Sequence, residues 1–461
     1  MTATTAATTA ATKLALFGGE ATVPVSMRSA EWPVVTPKDI FAVMRVLHSG
    51  TIMSIERNAR DIPNLETEYA RYVGVPHCLA LASGTAALHA CMAAVGVEPG
   101  DEVIVPALSF LASATAVMHQ QGVPVFVDIE PDTYNIDPRR TEEKVTGRTR
   151  AIQVVHLHGL PADMDAIGEV ARRRSVAVVE DYAQAHGATY RGMRAGAIGD
   201  ANGASVMADK NLPTCGEGGL FTTRSDAMRQ RVERLLMFSE RELARLWQDD
   251  TSPDGGEDVD TLGFNYRFNP VQAAFARSQL RRLDELNALR QRNAGILDAT
   301  LAGLPGLVPP VVPAGSTHVY YLYRFRIDPA AMGVDIPVGP LRRAFQDALL
   351  AEGVGAREWQ NTPLPGLELF QRREGYGGGC PWTCQAPSQV EYRIEDYPVT
   401  LDVLESTLVL GREVLVPPDA DQVRCHASAF EKVYENRAAL VDYARRIDDY
   451  RPPWEGVRRL A

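Results

Sequence analysis

Short apolar runs recur along the first half of the chain, and stretches with helical spacing separate them. The runs cover 78–82, 102–105, 124–127, 150–156, 176–179, 203–207 and 219–222. Helical spacing fills 86–94, 112–120 and 164–174, and two earlier helices are expected at 38–47 and 62–73. These runs are continuously apolar, which is the pattern of strands buried on both faces. Seven such runs with intervening helices predict an α/β fold whose mixed, mainly parallel sheet is covered on both sides.

The second half reads differently. A long helical pattern over 270–301 stops at Leu304-Pro305-Gly306 and is expected to join two halves. A strand over 320–327, a helix over 341–353 and a helical end over 427–445 follow. Between them, 354–398 is rich in Gly, Pro and aromatics and reads as an irregular insertion. The expected division is a disordered Ala/Thr tail over 1–16, a large domain over 17–280 and a smaller C-terminal α+β domain over 281–461. There is no internal repeat.

Composition narrows the function classes. The chain has 461 residues and a formal net charge of -11, which argues against a nucleic-acid or anionic-membrane partner. No apolar run approaches the roughly 20 residues that span a bilayer. The Ala/Thr start lacks the basic and apolar regions of a secretory signal. Six cysteines are sparse for this length, and free thiols in a reducing cytoplasm are the expectation. Cys380 and Cys384 with Cys425-His426 fit no standard zinc spacing, so no metal is expected.

In parallel sheets of this kind, ligands sit beyond the carboxyl ends of the strands. Four such places carry suggestive residues. Ser83-Gly84-Thr85 joins a strand to a helix and can hold a phosphate at the helix N-terminus. Phe110 follows the second strand and can cover a flat ligand. Asp181 ends an apolar strand, where a carboxylate needs a cation. Lys210 sits between two strand-like runs, beside the polar turn Gly216-Glu217-Gly218-Gly219. Taken alone, Ser83-Gly84-Thr85 reads better as an N-cap turn and Phe110 as core packing, while Asp181 can be an N-cap and Lys210 a loop lysine. In this order they match the phosphate, ring, ring nitrogen and aldehyde of pyridoxal 5'-phosphate. His156 and His158 lie two apart, on the same side of a strand, and read as pocket lining.

The chain resembles the DegT/DnrJ/EryC1/StrS family of sugar and cyclitol aminotransferases, which have the type I aminotransferase fold. The resemblance rests on Ala82-Ser83-Gly84-Thr85-Ala86-Ala87-Leu88, on Glu180 to Ala188, on Asp209-Lys210-Asn211-Leu212 with Gly216-Glu217-Gly218-Gly219, and on Gly263-Phe264-Asn265-Tyr266-Arg267. It implies that Lys210 takes the cofactor aldehyde and Asp181 holds the ring-nitrogen proton. It also implies that Phe110 stacks on the ring, Gln184 lies beside it, and Ser83, Gly84, Thr85 and Ser205 hold the phosphate. Asn265 would reach that phosphate from the partner subunit of a homodimer. His156, His186, Arg267, Tyr320 and Tyr321 are the substrate candidates, with Arg267 able to serve the donor's carboxylate and the insertion around Trp382 acting as a lid. The chain departs from the family where a small hydroxyl residue usually precedes the lysine: here it is Asp209. The end near Phe430-Glu431-Lys432-Val433 resembles the cyclitol branch.

The expected activity is therefore a cytoplasmic aminotransferase. It would pass an amino group from L-glutamate or L-glutamine to a keto-sugar nucleotide or a keto-cyclitol, as in amino-sugar or antibiotic biosynthesis. A dehydratase on the same scaffold is an alternative, but in that branch histidine replaces the lysine. A catalytically silent cofactor-binding regulator is another, against which Lys210 stands intact. A nicotinamide oxidoreductase would need a Gly-x-Gly-x-x-Gly turn after a strand, and none is present.

Overall fold

The computed structural model describes residues 13–456 apart from 55, 57, 237–261 and 386. The apolar runs become strands β1 (His77–Leu81), β2 (Glu102–Pro106), β3 (Val123–Val127), β4 (Thr149–Val155) and β5 (Ala177–Asp181). After a small hairpin of β6 (Thr189–Tyr190) and β7 (Met193–Arg194) come β8 (Ala201–Ser205) and β9 (Gly219–Thr223). Seven of them form one sheet in the order β1-β9-β8-β5-β4-β2-β3. β9 runs antiparallel to both its neighbours, and the other pairings are parallel. The mixed, mainly parallel sheet is as expected.

Helices cover its faces. Gly84–Ala94 is apolar on nearly every side and is buried from Ala86 onward, as a helix without a polar face must be. It presses on the sheet so closely that a Cβ on Gly203 would lie 3.0 Å from a Leu88 methyl. Met164–Arg174 is amphipathic instead. It is capped by the Asp163 carboxylate and ends in Arg172, Arg173 and Arg174, which suit the negative end of the helix dipole.

A second core gathers around a three-stranded antiparallel sheet of β10 (Leu307–Val308), β11 (Tyr323–Ile327) and β12 (Thr407–Leu410). Leu297, Phe325, Phe345, Leu408 and Phe430 fill it. Leu14 and Val23 from the chain's start pack there too. The buried Glu352 carboxylate fixes them, accepting from Ala15 N–H, from Thr22 N–H and hydroxyl, and from Lys432 Nζ. The expected tail lies outside the described residues as far as 12, and Leu14 within it is buried.

Several local expectations are corrected. The pattern over 270–301 is two helices, Pro270–Leu280 and Leu283–Leu301. They break at Arg282, which bonds Val34 O and pairs with Asp39. Apolar residues stay inward on both sides of the break, so spacing alone hides it. The helical end is likewise split into Ala420–Glu435 and Arg437–Ala444. The strand expected from 320 begins at Tyr323, because Tyr320 turns the backbone at φ 45° and stacks on His318. Helices Pro138–Lys144 and Asp226–Leu236 are present and were not expected. Cys380 and Cys384 form a disulfide where free thiols were expected. Cys425 Sγ faces Thr22 O.

Residues 354–398 carry the short helix Glu368–Arg372 and are packed. Leu364, Phe370, Trp382, Tyr392 and Tyr397 join the core cluster of the large sheet, with Phe370 edge-on to Phe126 of β3. Trp382 is buried and donates from Nε1 to the Tyr392 hydroxyl. It is a core residue rather than a lid.

Candidate active site

The site lies where β5 and β8 end side by side. Their register sets Asp181 opposite Gly203, two residues before Ser205. Helix Gly84–Ala94 starts against Ser205, and a Cβ on Gly84 would sit 2.5 Å from the Ser205 Cβ. Only glycine lets this helix N-terminus come so close. Ser83 caps it, accepting from Ala86 N–H at 3.1 Å. Gly219 is equally constrained, since a Cβ there would meet Ser83 O at 2.1 Å. β8 and β9 pair antiparallel, Ser205 with Gly219, so Lys210 rides on the loop between them. That loop is pinned by Val206 N–H to Gly218 O and Ala208 N–H to Gly216 O, both at 2.9 Å.

Ser83, Gly84, Thr85 and Ser205 line one side of a cavity of about 360 Å³. Asp181, Gln184 and Lys210 line its floor, and Phe110 stands at the edge with 62% of its surface exposed. Asp181 is buried and accepts from the Ser113 hydroxyl at 2.7 Å and from Ala183 N–H at 3.2 Å. Burial pushes its pKa up, and Ser113, Ala183 and the Lys210 charge partly offset that. Burial pulls Lys210 down, while Asp181 and Glu217 oppose it. A lysine lowered in this way keeps more of its amine free to act as a base or nucleophile. Its Nζ stands 4.5 Å from the centre of the Tyr321 ring. The Tyr321 hydroxyl donates to Asp209, which is also paired with Arg412.

The other expected residues lie elsewhere. His156 is buried beneath the floor. Its Nδ1 accepts from Ala162 N–H, so Nε2 carries the proton and donates to Glu180 at 2.8 Å. His186 is held between the Tyr69 hydroxyl and Ser205 O, and burial lowers its pKa to about 4. It props the strand that carries Ser205. Tyr320 packs in the second core. Arg267 bridges to Leu81, and neither it nor the exposed Asn265 lines this cavity. Sequence reasoning missed Ser113, which orients Asp181, and Trp359, which closes the cavity beside Tyr321. Nothing in the chain's local pattern marks Trp359.

The donor set fits pyridoxal phosphate. Hydroxyls and backbone N–H groups meet at a helix N-terminus, where a phosphate is favoured. A buried carboxylate suits a protonated ring nitrogen, and a buried amine suits an aldehyde. Fold and site together define a pyridoxal-phosphate-dependent aminotransferase. The model of the DegT/DnrJ/EryC1/StrS aminotransferase family matches residues 34–391, and the chain belongs to that family. It is 38% identical over 441 residues to the L-glutamine:2-deoxy-scyllo-inosose aminotransferase of Streptomyces fradiae, covering 93% of this chain and 99% of that one. It is 41% identical over 269 residues to the GDP-perosamine synthase of Caulobacter vibrioides, covering 58% of this chain and 69% of that one. Among solved structures it is similar to an aminotransferase from Psychrobacter cryohalolentis, with TM-score 0.75 and 28% identity, over 89% of this chain and 99% of that one.

Proposed function

We propose that the enzyme moves an amino group from L-glutamine or L-glutamate to a keto-cyclitol, in aminocyclitol biosynthesis. One observation carries the acceptor reading: the rings of Phe110, Tyr321 and Trp359 line the cavity around Lys210. A polyol ketone needs hydroxyl partners and flat faces, and Tyr321 and Trp359 supply them here. The end-to-end likeness to the scyllo-inosose enzyme supports the same choice. The likeness to GDP-perosamine synthase supports a nucleotide-linked keto-sugar as the second reading.

When bound, pyridoxal phosphate supplies an aldehyde for the amino group and a ring that takes up electron density from the donor's α-carbon. Ser83, Thr85 and Ser205 would hold its phosphate and Phe110 would cover its ring. Asp181 keeps the proton on the ring nitrogen. Gln184 gives its carbonyl to His158 N–H at 2.7 Å, which leaves its amide N–H groups for the ring side. The Lys210 amine takes the proton from the donor's α-carbon, steadied by the face of Tyr321.

The working form is a cytoplasmic homodimer. Helix Pro37–Ser49 presents Ile40, Phe41 and Met44 to solvent, 52%, 69% and 60% exposed. An apolar face of this kind suits a second copy. Asn265 is exposed and would serve the phosphate of the neighbouring copy.

The test is direct. Holoenzyme is converted by L-glutamine to its aminated form and offered keto-cyclitols, keto-sugar nucleotides and 2-oxo acids in turn. Keto-cyclitols are expected to restore the aldehyde absorbance. Restoration by 2-oxo acids alone would show the reading to be wrong.

A further inference from the structure

Arg324 sits on β11, in the small antiparallel sheet, and is only 2% exposed. Its Nε donates to His158 Nε2 at 2.9 Å, one Nη to the Thr407 hydroxyl at 2.6 Å and the other to the Trp359 carbonyl at 3.2 Å. All three acceptors are neutral, and among the described residues no carboxylate pairs with this arginine. Burying an unpaired guanidinium is costly, so mere filling of that space would favour an apolar side chain. What an arginine adds is a rigid fork that fixes several acceptors at once.

Those acceptors lead to the cofactor cavity. Trp359 lines it. Arg324 takes the Trp359 carbonyl, and the His158 ring meets the Trp359 ring edge-on, with centres 4.6 Å apart and planes at 75°. Arginine has no acceptor, so His158 Nε2 is the bare nitrogen and Nδ1 carries the proton. Burial first, and then the Arg324 and His318 charges, hold the His158 pKa well below the usual histidine range, so the ring stays neutral. It is thereby locked in one tautomer and one orientation. The His158 backbone is left-handed, at φ 57°. It turns its N–H to the Gln184 side-chain carbonyl at 2.7 Å and its C=O to Tyr321 N–H at 2.8 Å. Gln184 and Tyr321 line the same cavity.

We propose that Arg324 and His158 form a positioning pair that holds Trp359 as the wall against which a ring-shaped acceptor fits. The proposal rests on the acceptor reading above. Neither residue is among the described lining of the cavity. Both act through the tryptophan, Arg324 on its backbone and His158 on its ring. Fit to the ketone is thus set from the second core, through a strand that itself stays clear of the site.

Two substitutions test the pair. Arg324→Gln removes the fork. His158→Asn removes the ring but suits a left-handed backbone, so the bonds to Gln184 and Tyr321 survive. The first readout is independent of turnover. In the holoenzyme the emission of Trp359, taken as the difference from Trp359→Phe in each background, should be quenched more readily by acrylamide in both variants. Unchanged quenching overturns the proposal. The second readout is kinetic. Arg324→Gln should lower kcat/KM for a keto-cyclitol about 3-fold to 10-fold, the worth of one aromatic contact, and that for L-glutamine by less. In a Trp359→Ala background the same substitution should lower the ketone constant no further, because the residue it acts through is gone. Equal losses in both half-reactions, or a further loss in that background, mark a purely structural role and overturn the proposal. If Arg324→Gln fails to fold, His158→Asn is read by the same two measurements. If no ketone is aminated but quenching rises in the variants, the acceptor reading fails and the positioning of Trp359 stands.

Discussion

Replacing Asp181 by asparagine separates the cofactor's electrostatics from the fold. Among the described residues the carboxylate accepts two hydrogen bonds, from the Ser113 hydroxyl at 2.7 Å and from Ala183 N–H at 3.2 Å. Asparagine has the same shape and keeps an oxygen for Ala183. The Ser113 hydroxyl, which already faces Ser109 Oγ at 2.7 Å, can rotate to accept from the new amide. The fold should therefore lose no more than about 1 kcal/mol, the worth of one ordinary hydrogen bond. Turnover should suffer far more. An asparagine cannot keep a proton on the ring nitrogen, and breaking a buried ion pair costs about 3–5 kcal/mol. At about 1.4 kcal/mol per decade that is roughly 100-fold to 5,000-fold in kcat. The assay is single-turnover conversion of the holoenzyme by L-glutamine, with cofactor content and thermal midpoint as controls. Near-normal turnover, or a large loss of stability with turnover intact, would refute the reasoning.

Two further outcomes are expected. Mixing an inactive Lys210→Ala chain with an inactive Asn265→Ala chain should restore part of the activity, because one hybrid site then draws both intact residues; no recovery after verified subunit exchange counts against shared sites. Glu180→Gln should destabilise the protein by about 1–3 kcal/mol at neutral pH, the cost of leaving a buried donor unmatched, since Glu180 accepts from His156 and from Gly196, Ile198 and Gly199 N–H. Burial alone would raise the Glu180 pKa, but these donors outweigh it and the pKa is lowered. Its contribution is thus full above the ordinary carboxylate range and is lost as pH falls through the lowered value. In urea titrations, the gap between native and variant should narrow below about pH 4; a gap independent of pH would contradict this.

Much of the large sheet could be read from the chain because parallel strands are buried on both faces and stand out as apolar runs. Strand ends then pointed to Ser83 and Asp181 without any knowledge of contacts, and the family resemblance added Ser205. Lys210 was findable because a lone amine between two apolar runs needs a reason. The second half resisted the same reading. Tyr320, Tyr321 and Leu322 look like strand, yet only a left-handed turn at Tyr320 lets its ring meet His318 while Tyr321 reaches Lys210. No local rule anticipates that. Trp32 and Arg290 are far apart in the chain, and their meeting depends on how the first segment lies over helix Leu283–Leu301. Asp209 looked anomalous in sequence. Its partners, Tyr321 and Arg412, lie more than a hundred residues away.

The packed insertion has a consequence for the fate of the sheet outside its own molecule. β3 is the last strand on its side, and an open strand edge is a template on which other chains can pair. Here Pro124 withholds an N–H from that edge, and its carbonyl is taken by the Tyr392 hydroxyl at 2.7 Å. Phe370 and Tyr392 lie edge-on against Phe126 of the same strand. Residues 364–397 thus act as a built-in guard against aggregation. A chain shortened by that segment would bare both a strand edge and a cluster of aromatic rings.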